Sequence, residues 1–266
     1  MNIFRHELKS LRKSGMLWAA AMIALAGLFL SLYPSVAGDT EDFRKLLEGY
    51  PASVRAMLGI HLDVISSLMG YYSMVFVYIA ICGAIQAMHL GASILSRESR
   101  ERTADFLLVK PVSRISIVTA KLLAACTVII ATDMVFFAVT AILAGAVAAA
   151  GYSMHLFVLL NLPLLFIQMI FLAIGLAVSV FFSRLKNVLP LSLGTVFGLY
   201  IAGALLNADA KEGAGRYLSP FQYFDSIYII EHSGYEIQYL FAGALLIAVA
   251  VAVTCRIYVR KDIHAV

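Results

Sequence analysis

Charge is scarce in this chain: Asp, Glu, Lys and Arg make up 14% of its 266 residues, against 62% hydrophobic ones. With a mean hydropathy of +0.90, that balance excludes a soluble domain and fits a polytopic membrane protein, whose spans are runs of roughly 20 apolar residues. Cysteine is nearly as sparse. Cys82, Cys126 and Cys255 each fall inside an apolar run, where a thiol behaves as a small hydrophobe, so neither a disulfide framework nor a thiolate metal site is implied. The chain also lacks a G-x-x-x-x-G-K-[ST] phosphate loop, an H-E-x-x-H helix, Cys or His pairs at metal-ligand spacing and a G-x-S-x-G elbow. None of the reactions those motifs support is on offer. The net charge of +4 comes from basic residues at the ends of apolar runs, with no stripe to meet a phosphate backbone, which excludes a nucleic-acid partner.

What is present is apolar sequence in six long runs, at about 15–33, 70–95, 115–150, 154–182, 188–206 and 239–257. Each is long enough to span a bilayer as a helix, and together they predict an all-α membrane protein forming one transmembrane domain over 1–266. Ahead of the first run, Phe4, Leu8 and Leu11 recur at helical spacing while Arg5, Lys9 and Arg12 occupy another face, which predicts an amphipathic helix lying at the membrane surface. A signal peptide is the competing reading, with Ser35-Val36-Ala37 as a small-residue cleavage site. Glu7 in the basic segment and the length of the first run argue against it.

The charges between runs orient the chain. Residues 34–69 carry Asp39, Glu41, Asp42, Glu48 and Asp63 against Arg44, Lys45 and Arg55, and 207–238 are also acidic. Residues 97–121, the short Ser183-Arg184-Leu185-Lys186-Asn187 link and the C-terminal Arg256, Arg260 and Lys261 are basic. By the positive-inside bias the basic segments and both termini are cytoplasmic and the acidic ones face outward. The aromatic stretch from Tyr217 to Phe224 suits the headgroup level, and Gly151-Tyr152-Ser153 predicts a tight turn between the third and fourth runs.

Polar groups within the runs are few. Asp133 stands about 18 Å along the third helix from Lys121, near the bilayer midplane, where a carboxylate must face protein or water. It is either part of a substrate path or a structural acid bonded to Gln168, Asn161 or His89, with Gln86 also in the second run. In the fifth run, Gly194, Gly198 and Ala202 share the small-residue spacing that lets helices approach closely, within the chain or across a dimer.

The most charge-dense connector is 97–121, RESRERTADFLLVKPVSRISIVTAK, longer than a simple reversal needs. Its run Glu98, then Arg102-Thr103-Ala104-Asp105-Phe106-Leu107-Leu108-Val109-Lys110-Pro111-Val112-Ser113-Arg114, with Lys121 downstream, resembles the cytoplasmic signature of permease subunits of ATP-binding-cassette transporters of the type-2 exporter class. Leu218-Ser219-Pro220-Phe221 and Arg260-Lys261-Asp262-Ile263 are weaker matches, and the likeness in span number and order covers essentially the whole chain. It departs from the pattern at Arg102, where glycine is usual, and at Asp105, a shortened glutamate.

The resemblance implies a non-catalytic six-span subunit that pairs with a second copy or a sister permease in a bacterial cell membrane. A separate cytoplasmic ATPase would hold ATP and Mg, with no cofactor on this chain. The segment 97–114 would be the coupling helix seated on that ATPase. By position Glu98, Thr103, Asp105, Phe106, Leu107, Pro111 and Arg114 carry the motif, and Arg102 alters the seat. Two other classes remain open on the residues: an ion-coupled secondary transporter, which predicts an inverted repeat with broken helices, and a membrane-anchored enzyme or assembly factor, which needs convergent intramembrane polar groups. Pro163 could break the fourth run, but no corresponding half appears.

Overall fold

A computed structural model describes residues 3–101, 114–148, 151–181, 187–206 and 214–260. Among these the helices are α1 (Ile3–Gly38), α2 (Thr40–Glu48), α3 (Ala52–Met57), α4 (Leu68–Glu101), α5 (Arg114–Val147), α6 (Met154–Phe181), α7 (Val188–Leu206), α8 (Ser226–His232) and α9 (Ile237–Arg260), with 3-10 turns at Ala214–Leu218 and Pro220–Tyr223. Six of them, α1, α4, α5, α6, α7 and α9, are long and apolar enough to cross a membrane. The protein is therefore an all-α, multi-pass membrane protein, as the six runs predict.

Glu7, Leu11, Gly15, Ala19, Met22, Ala26 and Leu30 are buried at steps of three and four, which is one unbroken face. The amphipathic segment and the first span are thus a single rod, and no residue between Lys13 and Gly15 breaks it. Arg5, Lys9 and Arg12 are exposed on its other side, as the spacing predicts.

The centre of the bundle is α4, whose spanning stretch is 83% buried, while that of α9 is 11% buried and lies at the periphery. α4 packs along α6, and α1 along α5. The α4–α6 contact is close because Gly91 and Gly175 face each other: a Cβ on Gly91 would stand 2.3 Å from the Leu172 carbonyl oxygen, and one on Gly175 2.5 Å from that of Met88. Gly83, Ala87 and Gly91 form a small-residue stripe on α4, and it is this one that serves a helix contact inside the chain.

The antiparallel order defines two ends. The start of α1, the last turns of α4, α6 and α9 and the first turns of α5 and α7 lie at one, the terminal end; residues 39–67, the α5–α6 turn and residues 214–236 lie at the other, the loop end. Gly151 adopts a φ of +76° in the α5–α6 turn, a conformation that costs glycine little. Tyr152 closes the hairpin by donating to the Ala141 carbonyl at 3.0 Å. At the loop end, residues 214–223 form two 3-10 turns. They fold onto α7, where a Cβ on Gly203 would meet Ser219 Cβ at 2.4 Å. Tyr223 is buried there with its hydroxyl donating to the Tyr217 carbonyl at 2.8 Å.

Pro163 does not break α6, which runs through it. Proline removes the N–H that would bond the carbonyl four residues earlier. That carbonyl, on Leu159, instead accepts from the Tyr235 hydroxyl at 2.8 Å. The loop before α9 therefore supplies the donor that the proline takes away.

Candidate functional site

Helix α4 continues through Glu101, so Glu98 stands in its last turn, and Arg114 is the first residue of α5. Arg102, Thr103, Asp105, Phe106, Leu107 and Pro111 lie outside the described residues. What is visible is the base from which that connector springs. Lys121, two turns into α5, is 1% exposed at its side chain. Its Nζ lies 3.2 Å from Glu7 Oε1 on α1 and donates to the Ile94 carbonyl on α4 at 2.8 Å. A buried ammonium costs several kcal/mol unless its protons find partners, and here they come from two other helices. The α4–α5 connector thus rises from a three-helix knot.

A second polar group lies deeper. Gln168 on α6 donates to Gln86 on α4 at 3.4 Å, and Gln86 donates to the Thr132 hydroxyl on α5 at 3.3 Å. Asp133 sits next to Thr132, and Gln168 lies beside it. Both Asp133 carboxylate oxygens and Gln168 Oε1 are shielded from solvent. Asn161 does not join them. It accepts from the Tyr72 hydroxyl at 2.7 Å and donates to the Phe157 carbonyl at 2.8 Å. His89 is half-buried about one turn along α4 from Gln86.

Gly194 and Gly198 are exposed, and a Cβ on either would meet nothing within 4 Å. Among the described residues, no helix of this chain packs on them. With Leu193, Phe197 and Ile201, also exposed, they form an outward face on α7, and Ala202 is half-buried at its edge.

The feature with no local sequence signal is a cavity of about 630 Å³ at the loop end, between the α3–α4 loop, α7, the second 3-10 turn and α8. Its wall is braced. Tyr200 meets Phe221 edge-on at 5.4 Å, Phe221 leans on Phe171 at 5.2 Å, and the Tyr200 hydroxyl donates to the Met57 carbonyl. Arg216 also lines it but is fully engaged: it lies over the Tyr239 ring at 4.2 Å, donates to the Gln222 carbonyl at 3.1 Å and pairs with Glu236. Only the aromatic run 217–224 hinted at this wall; the partners come from distant segments.

Compared with known families, residues 1–263 match the model described as ABC-2 family transporter protein. No curated protein matches the chain.

Proposed function

The chain belongs to the ABC-2 transporter family and is a membrane permease component of an ABC transporter, and from that premise we propose how work reaches it. The permease exports its cargo, driven by ATP hydrolysis on a separate cytoplasmic ATPase that binds ATP and Mg. That ATPase seats on the 97–114 segment, with Phe106, Leu107 and Pro111 as the apolar anchor and Arg102 and Arg114 setting the register. The terminal end then faces the cytoplasm of a bacterial cell. A second copy or a sister permease packs on the Gly194–Gly198 face of α7, and Asp133 and Gln168 stand along the cargo path.

The observation that carries this reading is the Lys121 knot. A subunit without a nucleotide site of its own must receive work through a rigid contact, and Lys121 joins α5 to α1 and α4 two turns from the ends of the helices that the connector links. A push on the connector is therefore felt by three helices together. The test is Leu107→Asp: copurification of the ATPase is lost while membrane insertion is kept. Unchanged copurification would sink the coupling role.

A further inference from the structure

The loop-end cavity has the volume of a small-molecule site, which commonly runs from roughly 300 to 1,000 Å³. Its floor is apolar, made by Phe76, Val77 and Ala80 of α4 and Ile167 of α6. Ala80 stands about 9 Å along α4 from Gln86, so the floor lies just above the buried polar group. Its wall is aromatic and held in place by the contacts of Tyr200 and Phe221.

The charges at the rim decide what such a space would hold. Asp63, Asp225 and Glu231 line it. Asp225 caps α8 by accepting from the Ile227 N–H at 2.9 Å. Of the two guanidiniums, Arg216 is neutralised by Glu236, leaving Arg55. Among the described residues that line it, three carboxylates therefore stand against the guanidinium of Arg55, with His61 beside them, over low-dielectric walls that focus the field. Aromatic faces add attraction for a cation with a greasy body, and the same carboxylates repel an anionic amphiphile.

We infer that this cavity binds a hydrophobic organic cation, and that such cations are the cargo class handled at this end of the permease. The cargo assignment rests on the permease reading; the binding does not.

The experiment uses the full chain in phosphatidylcholine nanodiscs and two probes of equal shape and opposite charge, tetraphenylphosphonium and tetraphenylborate. Equilibrium dialysis is expected to give one saturable phosphonium site per chain and only unsaturable partitioning of the borate. The pair Asp63→Asn and Glu231→Gln, both at exposed positions, is expected to weaken phosphonium binding about tenfold, and Arg55→Gln to tighten it about threefold. Saturable borate binding, as an anionic lipid headgroup site would give, overturns the inference; so does an unchanged phosphonium affinity in the double variant. With the partner ATPase present in inside-out vesicles, ATP-dependent phosphonium uptake is expected to fall about tenfold in the same double variant. Intact binding without such uptake overturns the cargo assignment alone. The dialysis contains no ATPase, so its failure leaves the coupling role standing, and a failed copurification test leaves the binding site standing.

Discussion

Two ion pairs close the bundle at opposite ends, and they are built from different parts. At the terminal end, Lys121 and Glu7 are 1% and 11% exposed and join two spanning helices, with a third tied through the Ile94 carbonyl. At the loop end, Arg216 and Glu236 are 10% and 19% exposed and join a 3-10 turn to the start of α9. The first holds long rods in fixed relation; the second shapes a connecting segment that walls a cavity. Arg suits the second place because its planar fork can pair, stack on Tyr239 and reach the Gln222 carbonyl at once. Lysine suits the first because a point charge can be enclosed between crossing helices.

The comparison breaks most sharply at Glu7. Glu7→Gln removes the carboxylate that faces an almost wholly enclosed ammonium, and we expect a loss of about 3 kcal/mol in detergent unfolding. Replacing both partners, Glu7→Gln with Lys121→Met, should recover most of it; a double variant as unstable as the single would show that the charges are not paired with each other. Arg216→Gln should cost less, about 1–2 kcal/mol, because its partner stays closer to water. Equal costs at the two ends would erase the distinction drawn here.

Tyr235→Phe, which orphans the Leu159 carbonyl left bare by Pro163, should cost about 1 kcal/mol. Burial pushes the Tyr235 phenol up to about 12, from an ordinary value near 10. A raised value in the folded chain means that this tie contributes fully below about pH 10 and is lost as pH climbs toward 12. Unfolding curves of wild type and Tyr235→Phe should therefore converge across that window, and parallel curves would refute the assignment.

The smallest effect on the single chain is expected at Gly198→Leu. No described residue lies near that position, so unfolding should shift by less than about 0.5 kcal/mol, while self-association in detergent weakens. A dimer of undiminished strength would move the subunit contact off this face.

Much of the architecture is legible because it is periodic or compositional. The six spans follow from apolar length, the α5–α6 turn from Gly151, and the exposed basic side of α1 from spacing alone. The unbroken junction at Lys13 to Gly15 was also readable, since one glycine does not end a helix, but a charge boundary is easily mistaken for a structural one. The stripe Gly83, Ala87, Gly91 carries the same pattern as Gly194, Gly198, Ala202, and a pattern does not say which face has a neighbour. Glu7 with Lys121, Pro163 with Tyr235, and Asn161 with Tyr72 are pairings across long stretches of chain. No local rule reaches them, because they depend on which helices become neighbours. Asp133 was found by depth, and its companionship with Gln168 was among the options its depth allowed.

At 36 residues, α1 is about 54 Å long, well beyond the roughly 30 Å of a hydrocarbon layer. Its excess length carries Glu7 on the same buried face that ends at Leu30. One residue inserted between Leu11 and Gly15 would swing Glu7 a hundred degrees off its mark while leaving every apolar letter of the span in place. The spacing between the charged prefix and the greasy stem thus acts like the cut of a key, where the count of teeth matters as much as their shape.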